Sequence, residues 1–255
     1  HVLETWIGTS DTGATDADPT GNHATGNNMV LVSESTYSAD GNQLTSTSYA
    51  DASTSYTTEY QYDWRDRPTD VLTPAGVIMH SEYNNLAQTL WTKTYASADF
   101  TLDSDELRAQ THNLYDAHGR VYESDLYQVD QQDATNPGAV GDYLPSYTWY
   151  DARGQVIKTS TGSGLFQKSA YDGLGRPVAS YTCYDADETA YSNADDVTGD
   201  TVVEQSQTWY DSAGEAVATA TYARLPADTS TTGALDATDS YATASATWYD
   251  GLGRT

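Results

Sequence analysis

Short runs of β-forming residues recur along this chain, and each is bounded by a turn signal. Val156-Ile157-Lys158-Thr159 and Leu165-Phe166-Gln167-Lys168-Ser169-Ala170 read as two neighbouring strands separated by Thr161-Gly162-Ser163-Gly164. His1-Val2-Leu3-Glu4-Thr5-Trp6 has the alternation of a strand as well. Helical spacing is scarce. Asp103-Ser104-Asp105-Glu106-Leu107 is the one segment suited to starting a short helix, with Asp103 and Glu106 as a capping pair.

The turns carry a repeated motif, Tyr-Asp-x-x-Gly followed by Arg, Gln or Glu. Clear copies begin at Tyr115, Tyr150, Tyr171, Tyr210 and Tyr249. Degenerate copies begin at Tyr37, where Ser38 replaces Asp, at Tyr62, where Asp66 replaces Gly, and at Tyr83, with Asn84 and Ala87. Asp can accept hydrogen bonds from turn amides ahead of it, as Asx-turns do. A glycine three residues later can adopt positive φ, closing a type I turn with a bulge. Each copy therefore predicts a hairpin corner.

The spacing gives the architecture. Copies at 62 and 83 are 21 residues apart, as are those at 150 and 171, and a second turn lies inside each interval, Thr73-Pro74-Ala75-Gly76 in the first. Two strands joined by two short turns fit that length. The expected fold is all-β: tandem antiparallel hairpins forming an elongated spiral strip, shell or rod, one continuous array over residues 1–255. A longer cycle groups the copies at 62, 150 and 249, those at 83 and 171, and those at 37, 115 and 210. Acidic inserts interrupt it at Asp99 to Glu106, Asp130 to Asp142, Asp185 to Asp200 and Asp228 to Asp239, and read as exposed loops. His1 to Trp6 resembles the strand that should follow Gly253-Arg254, so the 255 residues read as a window on a longer array whose ends are made to continue.

Composition narrows the function. Tyr supplies much of the apolar content, 21 residues against 2 Phe, which suits a thin sheet with one wet side. The net charge of −26 argues against nucleic acid and anionic membrane partners, and no apolar run is long enough to span a bilayer. The lone Cys183 excludes an intramolecular disulfide and reads as a small buried hydrophobe.

Candidate chemistry is sparse. Asp16-x-Asp18-x-Thr20-Gly21 has the alternating oxygen ligands of half a calcium loop, and Asp185-x-Asp187-x-Thr189 echoes it, but no Glu completes an EF-hand. Bound Ca²⁺ at Asp16, Asp18, Asp185 or Asp187 competes with plain solvated acidic loops. The histidines at 1, 23, 80, 112 and 118 share no metal spacing, and no catalytic motif occurs, so the chain is expected not to be an enzyme and to need no cofactor. Arg120, Arg176 and Arg254 read as partners for Asp or Tyr across strands. The motif tyrosines read as a stacked ladder. Trp149, Trp209 and Trp248 each precede a motif Tyr and so alternate to the other face, where exposed rings could pack on sugars.

The repeated Tyr-Asp-x-x-Gly-Arg copies are similar to the YD repeats of the RHS (rearrangement hotspot) proteins over essentially the whole chain, and the long acidic inserts with Tyr-Asp-Ala-Asp, Tyr184 to Asp187, resemble very large planctomycete-type members. The resemblance implies a β-strip that spirals into a shell or rod: in bacterial toxins it encloses a cleaved toxic domain, and in animal teneurins it is an adhesion scaffold. Nothing here resembles the Asp-Pro-containing segment that cleaves the cargo of RHS toxins. The expectation is therefore a non-catalytic structural segment of an extracellular or cell-surface rod, shell or filament, with self-association as the main interaction. The alternatives are the encapsulating shell of a polymorphic toxin and a carbohydrate-binding adhesin.

Overall fold

The left-handed turn position of the motif is where sequence and backbone meet most directly. In the computed structural model, Gly41, Gly119, Gly154, Gly175, Gly214 and Gly253 all have φ between +74° and +92°. At the degenerate corners Asp66 (+61°) and Ala87 (+63°) hold the same conformation without a glycine. The structure describes residues 1–132, 135–162, 164–184, 193–228, 231–238, 240–250 and 253.

Sixteen strands result, hydrogen-bonded in chain order into one antiparallel sheet. The first four are β1 (Glu4–Ile7), β2 (Val30–Tyr37), β3 (Gln43–Tyr49) and β4 (Ser55–Tyr62). Next come β5 (Pro68–Thr73), β6 (Val77–Tyr83), β7 (Thr89–Ala96) and β8 (Leu107–Tyr115). They are followed by β9 (Val121–Asp130), β10 (Ala139–Tyr150), β11 (Val156–Thr161) and β12 (Leu165–Tyr171). The last are β13 (Pro177–Tyr184), β14 (Thr201–Tyr210), β15 (Ala216–Arg224) and β16 (Ser240–Ala246). Where the pairing at a corner is described, its register slips by one residue just before the motif Tyr, as between Trp149 and Tyr150, which is the bulge that a type I turn with a left-handed fourth residue demands.

The segment expected to start a helix forms a single 3₁₀ turn, Ser104–Glu106, and Asp103 gives no side-chain cap. Leu107 turns extended at once because its side chain is buried in the sheet, where it pairs with Tyr95.

The chain divides into two compact units, residues 1–112 with 127–142, and residues 113–126 with 143–255. In the first, Leu72, Ile78, Tyr95 and Leu107 form a buried cluster on one face, covered by Phe100 of the insert and by Val129. In the second, Phe166, Cys183, Val202 and Leu235 do the same, with Val197, Tyr181 and Tyr222 against them. The inserts are thus more than exposed loops. Their acidic residues mostly face water, while Ala194 and Leu235 tuck onto the sheet as isolated apolar anchors.

Lys168 fixes residues 193–200 of the third insert in place. Its ammonium, 3% exposed, pairs with Asp200 at 2.7 Å and donates to the carbonyls of Asn193 and Asp196. Gln205 holds the fourth insert by a two-way amide exchange with the backbone of Leu235, at 2.7 and 3.3 Å. Cys183 is fully buried, as its isolation in the sequence implied.

Candidate functional site

The most regular chemistry lies along the row of corners. At the clear corners of Asp116, Asp151, Asp172 and Asp211 the carboxylate accepts from two amides ahead of it. Asp116 receives His118 N at 2.8 Å and Arg120 N at 3.0 Å, and Asp172 receives Leu174 N and Arg176 N at 2.9 Å each. Arg120 and Arg176 close the corner by donating Nε to the second carboxylate oxygen at 2.7 Å. The Arg120 amide is the leading cause that holds the Asp116 carboxyl at about 2, well below its ordinary 3.8. Asp63 and Asp172 are lowered likewise, the first chiefly by the Arg67 side chain and the second by the Arg176 amide.

Six of the corners are also tied to the one before them. The hydroxyl of the motif Tyr donates to the backbone carbonyl that opens the preceding corner's outgoing strand: Tyr62 to Gln43, Tyr83 to Pro68, Tyr150 to Val121, Tyr171 to Val156, Tyr210 to Pro177 and Tyr249 to Ala216. The Tyr37 hydroxyl donates to the carbonyl of Val2, just before β1. The guanidinium of the preceding corner covers the ring, with Arg67 over Tyr83, Arg120 over Tyr150 and Arg176 over Tyr210 at 4.3–4.6 Å. At the corner where Gln155 stands in place of Arg, the link is a hydrogen bond from its amide to the carbonyl of Gly175 at 2.9 Å.

The tyrosines therefore form a ladder, but its rungs are Arg on Tyr and hydroxyl on backbone rather than ring on ring. Successive corners lie two strands apart, roughly 9.6 Å, too far for direct ring stacking. The reading of Arg120 and Arg176 as partners of Asp and Tyr matches this geometry; Arg254 lies outside the described residues. No sequence signal marked the carbonyl acceptors, because any residue type supplies one.

The calcium candidates separate. Asp18 spends its carboxylate on its own loop, accepting from Thr20 N, Thr20 Oγ1 and Asn22 N at 3.1, 2.6 and 2.5 Å. The Thr20 hydroxyl is the main reason its carboxyl sits below the usual range. Asp16 is exposed beside it, and Asp185 and Asp187 lie outside the described residues. Among the described residues no group of three or more His, Cys, Asp or Glu side chains is placed to hold a metal.

The expected alternation of Trp and Tyr is visible in the register. Trp149 faces Lys158 across the strand pair and Trp209 faces Ala218, while the following tyrosines sit at the bulge. Trp209 and Trp248 are exposed, at 46% and 81%. No described helix is long and apolar enough to cross a membrane.

No protein-family model matches the chain, and no curated protein matches it. Among solved structures it is similar to the crystal structure of TcdB2-TccC3-TEV, at 17% identity and a TM-score of 0.44, over 82% of this chain and 11% of that one. The crystal structure of TcdB2-TccC3 is similar at 14% identity and a TM-score of 0.42, over 94% of this chain and 13% of that one.

Proposed function

We propose that this chain is a non-catalytic structural segment of an extracellular or cell-surface β-strip of the RHS and YD-repeat kind, forming the wall of a rod, filament or hollow shell. The observation that carries this reading is the corner ladder. Six motif tyrosines make the same bond to the preceding corner, and the Asp and Arg of the motif spend their functional groups on the turn and on the next ring. Polar groups so committed hold the backbone in shape. Self-association through the sheet is the interaction this design favours, and the reading requires neither metal nor cofactor.

The shell of a polymorphic toxin uses the same strip and is the second reading. Electron micrographs of the native protein separate the two. Long uniform filaments support the rod, hollow cocoon-like particles support the shell, and isolated solid globules contradict both.

A further inference from the structure

At the corners that carry arginine, a guanidinium sits between a carboxylate and a tyrosine ring two strands further on. Arg176, just before β13, pairs with Asp172 at 2.7 Å and lies 4.4 Å from the ring of Tyr210. Arg120 does the same between Asp116, at 2.6 Å, and Tyr150, at 4.3 Å. The register of the last three strands repeats this arrangement with its middle member changed. Glu204 of β14 pairs with Ala223 of β15, and Ala223 pairs with Tyr241 of β16, so the three share one face of the sheet. A carboxylate and a tyrosine again stand two strands apart, roughly 9.6 Å. Between them alanine occupies the place that arginine holds at a corner.

Glu204 and Tyr241 are both exposed, the tyrosine at 67%, and the side chain of neither has a hydrogen bond, ion pair or ring contact with another described residue. Thr182, Ser206 and Ala223, which flank Glu204 on this face, carry no charge. Lys168 and Arg224 belong to the opposite face, where Asp200 and Asp228 hold them. A groove of about 510 Å³ opens here, and Glu204, Ala223, Tyr241, Ser206, Thr221 and Thr243, all of this face, border it.

We propose that Glu204, Ala223 and Tyr241 form a docking slot for an arginine side chain of a basic peptide. Its guanidinium pairs with Glu204 and lies over Tyr241, as Arg176 pairs with Asp172 and lies over Tyr210. Arginine suits the slot better than lysine, because its planar fork binds a carboxylate through two hydrogen bonds and stacks on an aromatic face. Ala223 leaves the room that the guanidinium fills. The groove holds more than one side chain, and its hydroxyls at Ser206, Thr221 and Thr243 offer hydrogen bonds to a peptide backbone. A net charge of −26 draws a basic partner in. The strip itself does not depend on this slot, so the proposed structural role stands or falls separately.

The test is an NMR titration of the ¹⁵N-labelled protein at low salt with the blocked peptide acetyl-Ser-Arg-Ser-amide. Its lysine and citrulline counterparts and free agmatine serve as comparisons. The arginine peptide should shift backbone amide signals of β14 to β16 saturably. The lysine peptide and agmatine should bind more weakly, and the neutral citrulline peptide should not bind. Glu204→Gln, which keeps the shape and removes the charge, should weaken binding by about tenfold. Tyr241→Leu should weaken it by about threefold. Ala223→Arg supplies the guanidinium from the protein itself, so it should abolish binding and raise the midpoint of urea unfolding. No saturable shift with the arginine peptide overturns the proposal. So does citrulline or agmatine binding as tightly as that peptide, or binding that survives Glu204→Gln or Ala223→Arg undiminished.

Discussion

A corner of this protein works because one residue in five adopts a left-handed backbone. A β-carbon on Gly175 would meet the Gln155 amide at 3.3 Å, and φ there is +84°. Gly175→Val should therefore lower stability by about 1–2 kcal/mol in urea unfolding, since β-branched residues resist positive φ. Ala87 already holds φ of +63° with a β-carbon, so Ala87→Gly should raise stability by roughly 0.5–1 kcal/mol, the opposite sign at an equivalent turn. Equal effects at the two positions would refute the shared geometry. The corner aspartates add a pH dependence. Because the carboxyl of Asp116 falls from 3.8 to about 2 on folding, its stabilisation is complete above 3.8 and is lost as pH drops through about 2. Asp63 and Asp172 act in the same direction. Thermal melts should fall steeply over that window, and Asp116→Asn should flatten the fall. The motif's local jobs were legible because eight copies repeat Asp or a substitute before the turn. The tyrosine's acceptor was not, since it is a backbone carbonyl 15 to 35 residues upstream.

At the scale of elements, strands and corners follow the sequence closely, while the inserts depart from it. The run Leu165 to Ala170 was read as a strand and β12 extends it by one residue, to Tyr171. The insert residues 193–200 look like solvated loop by composition, yet they are bolted to the sheet through one buried lysine. A single Ala194 or Leu235 among Asp and Thr produces no periodicity, so no pattern could announce its burial. Lys168 and Asp200 are 3% and 4% exposed, and removing one partner strands a buried charge. Lys168→Met should cost about 3–5 kcal/mol and expose residues 193–200 to proteolysis. The double variant Lys168→Met with Asp200→Leu should recover most of that loss. Failure to recover would mean that the carbonyl contacts of Lys168 matter more than its ion pair.

For the whole chain, charge is the dominant fact. A net charge of −26 on 255 residues sets like charges against one another across the surface. All three lysines, Lys93, Lys158 and Lys168, are turned to aromatic rings rather than to open solvent. Raising salt from 0.1 to 1 M shortens the screening length from about 10 to 3 Å. The melting temperature should therefore rise with NaCl, and a fall would show that attractive surface pairs outweigh the repulsion. The all-β antiparallel sheet was legible from the repeat alone, because a self-similar hairpin leaves few other ways to bury its strands. The exposure of Trp209 was only half legible. Alternation placed the ring on its face, but the missing cover at Ala218 emerges only from the strand register.

The central claim is that neighbouring corners are energetically coupled through the Arg and Tyr of the motif. Arg176 lies 4.4 Å above the ring of Tyr210, whose hydroxyl donates to Pro177 at 3.0 Å. A double-mutant cycle of Arg176→Ala and Tyr210→Leu, read by equilibrium urea unfolding, isolates that coupling. An interaction of about 0.5–1 kcal/mol is expected for a partly exposed cation over an aromatic ring. Strictly additive losses would contradict the account, because the corners would then be adjacent without supporting one another.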